Sequence, residues 1–149
     1  MERLVIICVM ILASTVGVSA QANLSIGVFF SDDYQYADDA KMVWVEGKEL
    51  RTYNLTLYRS ITTENKNMVG DMEKAVLKDS KKAADKEMGK IGQRLYYAFL
   101  SLHPEKENSH IRRYVFYRNA ALRQGGKNEA TLVYMEGHVS MEDLKKLFK

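Results

Sequence analysis

Cysteine and proline are almost absent from this chain, with one of each, and neither sign of charge dominates it. The cysteine, Cys8, sits in the N-terminal apolar run Leu4–Ala13, so everything after that run is free of thiols. Disulfides, cysteine nucleophiles and thiolate metal sites are excluded there together, and stability has to come from a packed core. No second apolar run approaches the roughly twenty residues needed to cross a bilayer. The formal net charge of +3, from 22 Lys and Arg against 19 Asp and Glu, favours solubility and makes no field for a nucleic acid. There is no His-Glu-x-x-His zinc motif, no Gly-x-Ser-x-Gly nucleophile elbow and no phosphate-binding glycine loop. The residues therefore offer no recognised catalytic group, no metal site and no cofactor site.

What is present begins with an export signal. Arg3 precedes the uncharged run Leu4–Ala13, which has the length of a signal h-region and is too short to anchor the chain. Val18-Ser19-Ala20 supplies the small residues a signal peptidase reads, placing cleavage between Ala20 and Gln21. Residues 1–20 are read as a signal peptide and residues 21–149 as a single domain, exported to the periplasm or beyond the cell.

Leu24–Phe30 reads as an apolar lead-in to an acidic loop containing Asp32, Asp33, Asp38 and Asp39. That loop lacks the spacing and the glycine of a calcium-binding loop. Lys41–Val45 is β-prone, Glu46-Gly47-Lys48 turns the chain, and Leu50–Ile61 alternates with Tyr53, Leu55 and Leu57 on one face, which makes a hairpin. From Asn67 to about Lys90, the residues Met68, Met72, Ala75, Val76 and Ala83 follow helical spacing, with Gly89 and Gly92 as the stop. Arg94–Leu102 is apolar on both faces and fits either a buried strand or a helix, ended by His103-Pro104. Ile111–Arg118 is strand-like and pairs best with it across the polar loop, whose flanking His103 and His110 are ordinary loop histidines unless the turn brings them together. Ala130–Met135 makes a further strand. Ser140 then caps a final helix, with Asp143 at the capping-box position, Val139 and Leu144 as a hydrophobic staple, and Met141, Leu144, Leu147 and Phe148 on one face. Too few crossovers for a parallel sheet and too much sheet for a bundle give the class α+β. The expectation is an antiparallel sheet of about four to five strands, with one central amphipathic helix and a short C-terminal helix packed on it.

Two patterns invite a binding role. Lys74, Lys78, Lys82, Lys86 and Lys90 recur at every fourth residue and would form one basic ridge on the predicted helix, suited to lipid headgroups or an acidic glycan. Asp71, Glu73, Asp79, Asp85 and Glu87 are interleaved and neutralise much of that field, so a solvated face is the plainer reading. Tyr96, Tyr97, Tyr114, Tyr117 and Tyr134 fall on the predicted C-terminal strands. An aromatic surface for sugars or a protein partner competes there with cross-strand and core packing.

Leu50–Ser60, Gly92–Tyr97, Tyr114–Asn119 and Val133–Gly137 resemble a family of small secreted proteins from Bacteroidetes, a domain of unknown function, along the whole exported domain. The Ser-x-Glu-Asp-Leu run at Ser140–Leu144 is similar to the tail of a larger envelope family from the same bacteria. The resemblance implies a Gram-negative, Sec-exported protein, and supplies neither an activity nor site residues.

The expected function is a non-enzymatic binding or accessory protein of the bacterial cell envelope. Its candidate partners are an envelope protein or a glycan, not nucleic acid, and it has no transmembrane segment once the signal is removed. A small hydrolase-like enzyme without a recognisable motif and a structural or oligomer-forming envelope unit are the alternatives.

Overall fold

The computed structural model describes residues 24–31, 38–106 and 108–147. The signal read at residues 1–20, residues 32–37 of the acidic loop and Phe148 of the predicted C-terminal face lie outside the described residues, while Asp38 and Asp39 of that loop are described. A 3-10 turn, Ser25–Phe30, comes first, followed by strand β1, Ala40–Glu46. A second 3-10 turn, Lys48–Tyr53, leads into β2, Leu55–Thr63, and the helix α1 runs over Lys66–Ser80. Four strands follow, β3 at Asp85–Ile91, β4 at Arg94–Leu102, β5 at Arg112–Asn119 and β6 at Ala130–Gly137, before the short helix α2, Met141–Leu147. They form one sheet in the order β1-β2-β6-β5-β4-β3, with every neighbouring pair antiparallel.

The sheet thus has six strands rather than four to five. The additional one, β3, comes out of the segment predicted as the second half of the central helix. Asn65 caps α1 by accepting from the Asn67 and Met68 N–H groups, and Met68, Val69, Met72, Ala75 and Val76 are buried beneath it. The helix stops at Ser80, whose Oγ donates to the Leu77 carbonyl at 2.7 Å, while Lys81, Lys82 and Ala83 fold back in tight three-residue turns. Ala84 N–H then reaches Ser101 O at 2.8 Å, the first rung of the sheet. The glycines read as helix stops serve a hairpin instead. Gly92, at φ +64°, is the first central residue of the two-residue turn between Ile91 and Arg94. Gly89 lies under the Tyr97 ring, where a side chain would collide with it.

The first hairpin also departs from simple alternation. Leu50 and Tyr53 belong to a 3-10 turn that ends at Asn54 in the left-handed region, φ +58°. A shift in register between Leu55 and Leu57 then sends these two leucines to opposite faces of the sheet. Arg94–Leu102, open at the level of sequence, is a strand, and it pairs with β5 as expected.

Both faces are covered, which accounts for strands apolar on both sides. Over one face, α1 and the N-terminal 3-10 turn enclose Ile26, Phe29, Ile61, Met72, Leu100, Tyr117 and Leu132. On the other, α2 and the turn Lys48–Tyr53 enclose Leu50, Leu55, Phe99, Tyr114, Phe116, Met135 and Leu144. The C-terminal helix is capped as its sequence requires: Asp143 N–H donates to Ser140 Oγ at 3.2 Å, and Val139 and Leu144 are both buried. Leu147 stays half exposed.

Candidate functional site

On the α1 face the sheet ends in a polar cleft of about 340 Å³. Its walls come from the end of β2 and the start of α1 (Thr63, Glu64, Lys66, Val69), the start of β4 (Arg94), the end of β5 (Asn119) and the connection to β6 (Ala121, Leu122, Asn128, Glu129). The antiparallel meander gathers these residues, because β2 and β5 finish, and β4 and β6 begin, at the same end of the sheet.

The central arrangement is built around Glu73, a carboxylate on the buried side of α1. One of its oxygens accepts from Leu95 N–H at 2.8 Å and the other from Arg94 Nε at 2.8 Å. The guanidinium is thereby fixed at the cleft wall with its side chain half exposed. Neither terminal nitrogen of Arg94 has a partner among the described residues. A guanidinium held by Nε with both Nη groups uncommitted is a prepared receiver for a planar oxyanion. Asn119, 4 % exposed, also lines the cleft, and its Oδ1 has no hydrogen-bond partner among the described residues. Such orphans are rare in folded proteins because leaving one costs about 1–3 kcal/mol.

Tyr117 lies behind Asn119, fully buried, and its hydroxyl is likewise unpaired among the described residues. Burial pushes its phenol well above the ordinary value and the Glu73 charge pushes the same way. Arg94 opposes them, as does the neighbouring Asn119 amide. The phenol therefore remains a neutral donor under any physiological condition.

A second cleft of about 260 Å³ shares Thr63, Glu64 and Glu129 with the first and adds Asp38, Asp39 and Lys41. Its floor is pinned, because Thr63 Oγ1 donates to Asp39 O at 2.7 Å and Asn65 Nδ2 donates to the Asp39 carboxylate. Among the described residues Glu64, Lys66 and Glu129 form no ion pair.

The opposite end of the same face carries charge of another kind. Arg59, 1 % exposed, stacks its guanidinium 3.4 Å from the centre of the Trp44 ring. Trp44 Nε1 donates to Glu46 at 2.9 Å and Tyr134 Oη donates to Glu136 at 2.6 Å. Burial pulls the Arg59 pKa down to about 10 against the pull of Glu46 and Glu136, which leaves it charged at neutral pH. The groups of this cluster are turned toward one another around the buried Arg59, as in a structural network.

The residues singled out in sequence lie elsewhere. Lys74 and Lys78 are exposed on α1, Lys82 is in the turn after it, and Lys86 and Lys90 are on β3. With the helix ending at Ser80, the period of four no longer traces one ridge. Tyr114, Tyr117 and Tyr134 are 1 %, 0 % and 0 % exposed, so they belong to the core and not to an aromatic surface. The physical reason is that both faces of the central strands are covered. Only Tyr96 and Tyr97 are partly exposed, edge to face at 6.1 Å.

A model described as Family of unknown function (DUF6108) matches residues 13–148, nearly the whole chain. The chain belongs to that family. No curated protein and no solved structure matches it. Within this member, the cleft residues carry a signal that periodicity alone passes over. Glu73 occupies a position of the apolar stripe on α1, four residues after Val69, and Asn119 follows Val115 and Tyr117 on the inward side of β5. A polar residue in an apolar register is the mark of a satisfied or waiting partner.

Proposed function

We propose that this protein is an exported, non-enzymatic binding or accessory protein of the bacterial cell envelope, and that it holds a small polar ligand in the cleft at the end of the α1 face. Support for binding comes from one arrangement: the half-exposed Arg94 guanidinium, fixed by Glu73 through Nε and with no partner for its two terminal nitrogens among the described residues, beside Asn119 in the wall of the cleft. A cleft of about 340 Å³ is at the lower end of the range for small-ligand sites. Support for export comes from the N-terminal run and its Val18-Ser19-Ala20 site, and support for an envelope setting from the resemblance of the strands and tail to secreted proteins of Bacteroidetes.

The test is a thermal-shift screen of the purified protein against amino acids, short peptides, organic acids, saccharides and inorganic phosphate. Hits are re-measured by calorimetry on Arg94→Gln and Asn119→Ala. A ligand whose affinity falls at least tenfold in both variants supports the site. A ligand that binds all three proteins equally places binding elsewhere and defeats this reading. Fractionation of cells carrying the tagged full chain reads the export half: retention in the cytoplasm with residues 1–20 uncleaved overturns it.

A further inference from the structure

The two adjoining clefts differ in charge. Arg94 and Lys66 balance Glu64 and Glu129 in the first, while the second shares those two acids and adds Asp38 and Asp39 against Lys41, so that its lining is net acidic. From Asp39 at the start of β1 to Arg94 at the start of β4 the groove passes β2, β6 and β5, four strand spacings or about 19 Å. Between the two ends, at the end of β5, sits Asn119, which lines the first cleft. Among the described residues no ion pair crosses the groove, and Glu73 holds Arg94 through Nε.

Resting on the ligand-binding reading above, we infer that the ligand is a short zwitterionic peptide, lying with its terminal ammonium at the acidic end and its terminal carboxylate on Arg94. A free amino acid is too short to reach both ends. After the reach of the side chains is subtracted, an extended peptide of about three to five residues, at roughly 3.3 Å each, spans the groove. The Arg94 fork matches a carboxylate in two parallel hydrogen bonds. Lys66 adds a second cation to the first cleft, and Val69 and Leu122 give its lining apolar surface.

Calorimetry with tetra-alanine tests this, alongside its N-acetylated form, its C-terminal amide and an N-acetylglucosamine disaccharide. The free tetrapeptide is expected to bind, with at least a tenfold loss on acetylation and again on amidation. Arg94→Gln should weaken the free peptide at least tenfold yet barely alter the amide. Arg94→Gln also strips Glu73 of a partner and lowers stability. The exposed Glu64→Gln paired with Glu129→Gln is therefore the second arm, expected to weaken the free peptide and leave the acetylated one unchanged. Equal binding of the blocked and free peptides overturns the inference, as does the absence of peptide binding at millimolar concentration. Tighter binding of the disaccharide, lost in Asn119→Ala, overturns the peptide and keeps the binding cleft. Ligands indifferent to both Arg94→Gln and Asn119→Ala defeat the cleft itself.

Discussion

The two faces of the sheet are closed in different ways. Over the α1 face the covering segments are tied by buried carboxylates. Asp79 of α1 accepts from the Ser25 and Ile26 N–H groups at 2.7 and 3.0 Å, and Glu73 accepts from Leu95 N–H and Arg94. On the other face a seven-residue helix is held by the buried Leu144, by Tyr114 Oη donating to Val139 O at 2.6 Å, and by the exposed Lys145–Glu87 ion pair. Beside that helix is an apolar trough of about 500 Å³ lined by Val45, Leu50, Tyr53, Leu55, Tyr58, Met135 and Leu147. A buried carboxylate with two donors fixes both of them, since either left unpaired would be costly, whereas an exposed ion pair is screened and mobile. One face therefore holds polar groups at set positions, as selective binding needs, and the other offers area without direction.

The largest effect should follow from cutting the tie on the N-terminal segment. Asp79→Ala removes two charge-assisted hydrogen bonds and leaves two amides unpaired, and is expected to cost about 3 kcal/mol or more in urea unfolding. Amide exchange at residues 25–30 should rise with it. Wild-type protection there in the variant would mean that Ile26 and Phe29 hold the segment by packing alone, and the contrast between the faces would narrow. Next comes alkaline stability. Burial raises the Tyr117 and Tyr134 phenols, with Glu73 and Glu136 as the next causes. The unfolded chain releases these protons above about pH 10 while the folded chain keeps them, so the stability they contribute is complete below that pH and is lost as pH climbs past it. Absorbance at 295 nm should show these two tyrosines ionising only together with loss of far-ultraviolet structure. Smooth titration of all nine tyrosines with the fold intact would mean the α1 face is open to solvent.

How much of this was legible in the sequence follows the same division. The class α+β, the β4–β5 pair and the capped C-terminal helix come through because each is written in neighbouring residues: apolar runs, Pro104, and Ser140 with Asp143 and the Val139–Leu144 staple. The helix boundary at Ser80 does not. Ala83 and Met88 continue a tolerable helical spacing, and only the tertiary rung from Ala84 to Ser101 shows that β3 has begun. The basic ridge failed with that boundary. The aromatic surface failed because alternation tells which side a tyrosine takes and cannot tell that both sides are covered. The cleft was out of reach for another reason. Glu73 and Arg94 are 21 residues apart and Glu64 and Glu129 farther still, so their meeting is a property of sheet order rather than of any local pattern.

Smaller effects sharpen the comparison from the other face. Tyr114→Phe deletes one buried hydroxyl and orphans the Val139 carbonyl, and should cost about 1 kcal/mol in urea unfolding. That is well under the Asp79 value, because one neutral donor is lost in place of two charge-assisted bonds. A cost matching Asp79→Ala would show that α2 is clamped as firmly as the N-terminal segment.

Lys145→Ala should have the smallest effect, with no measurable change in the unfolding midpoint. The raised pKa of Lys145 reflects first its hydrogen bond to Glu87, and both side chains are open to solvent, where salt screens the attraction and holding two long side chains in register costs entropy. Measured at low and at high salt, wild type and variant should unfold at the same midpoint as each other. A gap that opens at low salt would mean that this ion pair, and not the burial of Leu144, seats α2 on the sheet. The trough beside Leu147 would then be closed by charge, and adding salt would loosen it.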